Sequence, residues 1–277
     1  MHSTSSMSWF GRLSLGGGLA FLYLPIVVLV VYSFNASKLV SVWAGFSLGW
    51  YQTLFDDEAV MAAFGLSLKV AVLASAMSVV LGTLAGLVMA RFGPFRGKSL
   101  FAGMLTAPMV MPEVITGLSM LLLFVSMQQW LGFPEERGVL TIWVGHVTLC
   151  TAYVTVVIRS RLVEMDRSLE EAAMDLGARP LKIFFVITLP LILPALASGF
   201  LLSFTLSLDD LVMTAFLSGP GSTTLPQLIF SRVRLGLNPE INALGTLTVL
   251  VVAVLVISAN RIMLRQEKRR AALAAAS

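Results

Sequence analysis

Glu171-Ala172-Ala173-Met174-Asp175-Leu176-Gly177, followed after a nine-residue gap by Ile187-Thr188-Leu189-Pro190, is a polar island in a very apolar chain. Leu169, Ala172, Ala173 and Leu176 recur at helical spacing, while Glu170, Glu171 and Asp175 fall on the opposite face. The pattern predicts a short amphipathic helix. Ser168 with Glu171 three residues on reads as a capping-box start. Gly177 suits the left-handed exit of that helix, and Pro180 suits the first turn of another. Hydrophobic spans flank the element on both sides. Lipid has no use for such a helix; a surface that docks another protein does.

Working outward, hydrophobic residues are 57% of the 277 and charged residues only 12%, far below the charge of a soluble domain. Six segments approach the twenty or so residues that a bilayer needs. They are Leu15–Phe34, Leu66–Ala90, Leu100–Met127, Val139–Ile158, Leu191–Leu217 and Ala243–Met263. The fold class expected is therefore all-α, with six transmembrane helices. Met1–Gly18 lacks the pattern of a cleaved signal peptide, so the first span is read as retained. Cys150 is the lone cysteine and lies in an apolar run, which excludes a disulfide framework.

Lys and Arg set the expected orientation. With the N-terminus inside, fourteen basic residues face the cytoplasm, among them Arg91, Arg96, Lys98, Arg167, Arg179 and Lys182, against Lys38, Arg137, Arg232 and Arg234 outside. Both termini and the Glu171–Gly177 loop are then cytoplasmic. Trp43, Trp50, Tyr51, Trp130 and Trp143 fall at the outer interface, as an aromatic belt would. The net charge of +4 follows this asymmetry and the basic tail Arg265–Arg270, read as an anchor to membrane lipid; no nucleic-acid partner is implied.

Ser78, Gly82 and Gly86 repeat every fourth residue, with Ala71 and Ser75 on the preceding turns, a spacing that lets helices approach closely in lipid. Pro108 and Pro112 interrupt the third span, and Pro190 and Pro194 open the fifth. Three acids fall within spans: Glu113, Asp209 and Asp210. A charge at mid-bilayer costs roughly 2.5–3.5 kcal/mol, so it is rarely kept without use. Glu113 is expected about 20 Å along the third helix. Ser203, Ser207, Asp210 and Thr214 form one polar stripe and Thr205 with Asp209 a shorter one. Asp210 is therefore expected to face a wet path, with Asp209 capping or pairing. The acids together suggest a pathway for cations. The alternative is structural: the acids hydrogen-bond within the protein or meet water near the interface.

The Glu-Ala-Ala, Gly, Ile, Leu-Pro spacing, met at Glu171, Ala172, Ala173, Gly177, Ile187, Leu189 and Pro190, resembles the signature loop of bacterial ABC importer permeases. Four further segments resemble the permeases of polyamine importers, both putrescine and spermidine/putrescine: Tyr32–Asn35, Ala107–Ile115, Ser203–Asp210 and Asn238–Ala243. The resemblance implies a type I importer permease fold whose cytoplasmic coupling helix, carrying Glu171, Ala172, Ala173, Asp175 and Gly177, docks on a separate ATPase. It implies a second homologous permease, two copies of the ATP-binding subunit and a periplasmic polyamine-binding protein as partners. ATP and Mg would be bound by the ATPase, with no cofactor or metal in this chain. It implies import of putrescine or a near relative through an inner-membrane pathway that includes Glu113, Asp209 and Asp210. The expected organisation is an N-terminal helix and periplasmic loop over 1–65, a five-helix core over 66–263 and a basic tail over 264–277.

Three other readings are weighed. Gly93-Pro94-Phe95-Arg96-Gly97-Lys98-Ser99 has three residues between its glycines where a phosphate-binding loop requires four, so this chain is not expected to hydrolyse ATP. An intramembrane hydrolase of the metal type needs His-Glu-x-x-His, and the only histidines are His2 and His146. A serine type would pair His146 with Ser119, and an aspartyl type Glu113 with Asp210; His146 is read instead as a hydrogen-bonded interior residue. An ion-coupled secondary transporter would leave the docking helix unexplained and lacks a visible repeat.

Overall fold

The computed structural model describes residues 8–39, 42–236 and 239–276, the side chains of 259–260 and 262–276 excepted. His2, Asn238 and Ser277 lie outside the described residues, as do the side chains of the basic tail Arg265–Arg270. Twelve α-helices and no strand occur among the described residues: α1 Trp9–Tyr32, α2 Gly49–Asp56, α3 Glu58–Arg91, α4 Lys98–Val110, α5 Glu113–Leu131, α6 Val139–Glu164, α7 Ser168–Asp175, α8 Pro180–Ile183, α9 Leu189–Asp209, α10 Val212–Leu217, α11 Leu225–Leu235 and α12 Glu240–Ala276. Among the described residues six stretches are long and apolar enough to cross a membrane: Trp9–Tyr32, Glu58–Arg91, Glu113–Leu131, Val139–Glu164, Pro180–Asp209 and Glu240–Ser258. These are the six expected spans, with two corrections. The third is broken between α4 and α5, and the fifth ends at Asp209 and resumes as α10.

The described chain forms two compact units, one from residues up to Val60 with Ile229–Val254, the other from Met61–Leu228 with the residues from Leu255 onward. In the first, the loop after α1 is knotted around buried Asn35. Its side-chain amide donates to Val42 O at 2.7 Å, its Oδ1 accepts from Ala44 N at 2.9 Å, and its carbonyl accepts from Trp50 Nε1 at 2.8 Å. Ser33 meets the Tyr51 hydroxyl at 2.7 Å, and Phe34 stacks on Phe46. Tyr32–Asn35 is thus a loop-building segment, because a turn this irregular must satisfy its backbone groups with side chains. Arg232 joins two carboxylates, Asp57 Oδ2 at 2.6 Å and Glu240 Oε1 at 3.1 Å. Burial alone would raise the Asp57 carboxyl. The Arg232 hydrogen bond and charge, with the Val60 and Ala59 amides, hold it below its usual value instead.

In the second unit, the small-residue stripe of α3 packs against α6. A Cβ at Gly82 would lie 2.6 Å from Val154 Cγ1, and one at Gly86 3.1 Å from Ile158 Cγ2. Ser78 Oγ donates to Val147 O at 3.3 Å. The backbones approach because no side chain stands between them, as the spacing predicted. Around α6 the core closes with Ile142, Leu149, Met213 and Leu217 on one side, and Val154, Ile158, Leu162 and Ile192 on the other.

The proline positions shape two spans. Pro112 displaces its predecessor from the helical region, and Met111 is extended at φ −75°, ψ 140°. At the fifth span a π turn, Phe184–Thr188, precedes Pro190; Leu189 N–H reaches back to Phe184 O. A proline ring in a regular helix clashes with the carbonyl four residues earlier, and the wider π turn relieves that crowding.

Candidate functional site

The docking element is α7. Its start differs from the predicted capping box. Ser168 is already helical and its hydroxyl caps nothing; Asp166 Oδ1 accepts the Ser168 N–H at 2.9 Å. That bond and the Ser168 hydroxyl hold the exposed Asp166 carboxyl below its usual value. The bond from Ser168 N–H to Asp166 Oδ1 closes an Asx turn, in which an aspartate side chain accepts from the amide two residues on. The exit agrees with the sequence. Gly177 sits at φ +80°. Gly177 N–H donates to Met174 O at 2.8 Å and Ala178 N–H to Ala173 O at 3.0 Å. This pair of bonds is a Schellman turn, which only glycine enters without strain.

The large apolar residues of α7 lie in the open, and so do two of its three carboxylates. Leu169 and Met174 are half exposed and Leu176 is 89% exposed, with Glu171 and Asp175 beside them in the open. Glu170, grouped by the sequence with Glu171 and Asp175 on one face, is the residue that turns inward. Arg91 Nε, at the end of α3, lies 2.8 Å from Glu170 Oε2. Thr188 Oγ1, from the π turn, donates to Glu170 Oε1 at 2.7 Å. Arg91 Nη1 also donates to Leu162 O at 2.9 Å, and Arg167 Nη2 to Ala90 O at 2.6 Å. Arg91, Glu170 and Thr188 were missed because their ion pair and hydrogen bond join residues far apart in sequence. The available signal was an arginine closing one span and a Glu-Glu pair of which only one member could face out. The α7 helix thus presents apolar side chains to its surroundings while one carboxylate fastens it to the bundle.

The second group of candidates is the intramembrane acids. Glu113 is the first residue of α5, not a mid-helix residue of one long span. Its carboxylate is exposed at a helix N-terminus, where unpaired amides favour a negative charge. Asp209 closes α9 and is exposed; Asp210 is extended, at φ −66°, ψ 123°, and only 8% exposed. The expected division between them is reversed. Asp210 does the capping and pairing: its Oδ2 accepts from Thr214 N and Thr214 Oγ1, each at 2.8 Å, and lies 3.2 Å from His146 Nε2. His146 Nδ1 meets Ser207 Oγ at 2.6 Å. The predicted stripe of Ser207, Asp210 and Thr214 does converge, but on a histidine of α6. Ser203, its fourth member, is buried nearby, its carbonyl accepting from Cys150 Sγ at 3.6 Å.

A serine, a histidine and an acid in hydrogen-bond contact raise the hydrolase alternative directly. All three are buried, with His146 at 1% exposure, so no scissile bond reaches Ser207. The pairs that the sequence weighed, Ser119 with His146 and Glu113 with Asp210, are not joined by any hydrogen bond. Among the described residues no cluster of three His, Cys, Asp or Glu side chains could hold a metal. The Gly93–Ser99 loop is no phosphate cradle either. Lys98 Nζ folds back onto Phe92 O at 2.9 Å and Gly93 O at 3.3 Å, capping the end of α3.

Six apolar spans, two of them broken beside carboxylates, with one clamped amphipathic helix between the fourth and fifth, are the architecture of a multi-pass membrane protein. The chain belongs to the family of binding-protein-dependent transport system inner membrane components, whose profile matches residues 82–272. It is 62% identical over 253 residues to the putrescine transport system permease protein PotI of Escherichia coli K12, covering 91% of this chain and 90% of that one. It is 39% identical over 256 residues to the spermidine/putrescine transport system permease protein PotC of the same organism, covering 91% and 94%. Among solved structures, a bacterial ABC transporter that imports the acidic polysaccharide alginate superposes with TM-score 0.66 at 16% identity, covering 91% of this chain and 93% of that one. A second structure, of the alginate transporter with its periplasmic protein bound to an alginate pentasaccharide, gives 0.70 at 18%, covering 91% of each chain. These superpositions show the fold alone. The chain is an ABC transporter permease subunit and not an enzyme.

Proposed function

We propose that this chain is the permease subunit of an ATP-driven importer of putrescine or a closely related polyamine, lying in the inner membrane with both termini cytoplasmic. It supplies half of the translocation pathway and pairs with a second, homologous permease. Two copies of a cytoplasmic ATPase bind ATP and Mg and dock on α7 through Glu171, Ala172, Ala173, Asp175 and Gly177. A periplasmic polyamine-binding protein delivers the substrate. ATP-driven closure of the ATPase pair moves α7, and the spans re-expose the pathway. Glu113 and Asp209 supply the carboxylates along it, with Asp210 beside them as the group that holds the fifth span in shape.

The similarity over nine-tenths of the chain to a putrescine permease carries this reading of the substrate. Two features of the fold support it. The exposed apolar side chains Leu169, Met174 and Leu176 are what a protein interface covers and what water disfavours. Exposed carboxylates at two span breaks attract ammonium groups in a low dielectric.

The test is labelled putrescine uptake into vesicles holding the full complex. Glu171→Arg and Gly177→Leu are expected to leave the chain inserted but to lose ATPase co-purification and ATP-driven uptake, by about tenfold or more, because charge is reversed in the interface and Leu strains the left-handed turn. Full ATPase retention and full uptake in both variants would refute the docking assignment. ATP-dependent uptake that ignores putrescine as substrate and competitor would refute the substrate.

A further inference from the structure

The geometry points to Glu170 as the residue that transmits motion of the docking helix into two membrane spans at once. The inference rests on the docking role of α7 and goes beyond it, because Glu170 is not part of the exposed docking face. Of the carboxylates on α7, Glu170 alone is drawn inward, with its side chain 15% exposed. Arg91 reaches both of its oxygens, through Nε to Oε2 at 2.8 Å and through Nη2 to Oε1 at 3.4 Å, and Thr188 reaches Oε1 alone. Arg91 is the last residue of α3, and Thr188 the last residue of the π turn that feeds α9. Arg91 in turn reaches the carbonyl of Leu162 near the end of α6. One carboxylate therefore links α7 to α3, to the fifth span and, through the guanidinium, to α6.

The surroundings make the link strong and directional. Arg91, Glu170 and Thr188 form the polar side of a cavity of about 490 Å³ otherwise lined by apolar groups such as Leu87, Met174 and Phe184. The other side chains lining the cavity are apolar, so none of them can take over a bond lost by Glu170, Arg91 or Thr188. The exposed remainder of α7 offers no comparable attachment. The π turn is the natural receiver. It is a single irregular turn closed by a five-residue hydrogen bond inside an otherwise α-helical span, a feature that recurs at functional sites. Glu170 is thus a positioning residue for coupling: it touches neither substrate nor nucleotide.

The experiment reads putrescine moved per ATP hydrolysed by the complete reconstituted complex. This ratio is insensitive to how many complexes fold, so mere destabilisation does not change it. Glu170→Gln, which keeps size but removes the charge, is expected to retain the ATPase and lower the ratio about tenfold. Thr188→Val, which removes only the hydroxyl, should lower it severalfold, and Thr188→Ser, which keeps the hydroxyl, should restore it to nearly the wild-type value. An unchanged ratio in both Glu170→Gln and Thr188→Val, with the ATPase bound, would overturn the inference while leaving the docking assignment standing. Loss of the ATPase from Glu170→Gln would also overturn it, since the carboxylate would then only shape the docking face. Failure of the docking assignment is read separately, as ATPase retention in Glu171→Arg.

Discussion

Two spans of this molecule are broken, and the breaks are built in opposite ways. Between α4 and α5 the interruption comes from Pro112, which bars its predecessor from the helical region; Glu113 then begins a new helix with its carboxylate exposed. Between α9 and α10 there is no proline. The chain leaves the helix because the Asp210 carboxylate captures the first-turn amides and the hydroxyl of Thr214, and His146 of α6 binds it from the side. A proline break needs no partner, so the acid beside it stays available. A break made by an acid occupies that acid. Three intramembrane carboxylates that look alike in the sequence therefore divide into two kinds: Glu113 and Asp209 open, Asp210 committed.

Removing Asp210 should produce the largest effect. Asp210→Ala leaves the Thr214 amide without its buried acceptor and takes one bond each from the Thr214 hydroxyl and His146, and each buried group left unsatisfied costs on the order of 1–3 kcal/mol. The expected outcome is a large fall in the thermal midpoint and yield of the assembled complex in detergent. Glu113→Gln should leave both within the small range typical of exposed substitutions. Equal midpoints for Asp210→Ala and wild type would dissolve the distinction between the two breaks.

The open acids should show the converse behaviour. Glu113→Gln and Asp209→Asn remove the attraction for an ammonium, which at an effective dielectric of about 20 amounts to roughly 4 kcal/mol for a pair at 4 Å, before desolvation is subtracted. Each is expected to lower putrescine uptake by about three- to tenfold while the complex assembles and binds its ATPase. Initial uptake rates across a range of putrescine concentrations are the measurement. Normal rates in the Glu113→Gln/Asp209→Asn double variant would return both acids to a structural role.

The pattern of what could be read from the sequence follows from distance along the chain. Gly177 ends α7 as its position suggests, because a left-handed exit is a local property of one residue. The α3 stripe packs on α6 because spacing alone places Ser78, Gly82 and Gly86 on one face. The helical period grouped Ser207, Asp210 and Thr214, and they do converge, though across a break at Asp210 and not along one helix. It gave no means of telling whether that stripe met water or His146, since the partner lies more than sixty residues away. The same limit hid Glu170. Hydrophobic periodicity separated the leucines of α7 from its three carboxylates, but it could not show that one of those carboxylates, Glu170, turns in to Arg91 while Leu176 faces out.

Asp57 offers the finest test of what commitment to partners does to an acid. Like Asp210 it is engaged by its neighbours, but it lies at the surface of the first unit, where Arg232 and Asp57 side chains are each about one-quarter exposed. Its carboxyl is held below the ordinary value of 3.8. The sign of the linkage follows: a depressed carboxyl binds protons more weakly in the folded state than in the unfolded one. Its contribution is therefore complete above about pH 4 and is lost as pH falls through the lowered folded value. Partial exposure limits that contribution to about 1 kcal/mol or less. The thermal midpoint of Asp57→Asn should lie a few degrees below wild type at pH 7, and the gap should narrow as pH is lowered towards 3. Glu240, which shares Arg232, keeps the guanidinium partly compensated in the variant and holds the effect small. A gap that stayed constant down to pH 3 would show that Asp57 acts through its shape and amide bonds and not through its charge.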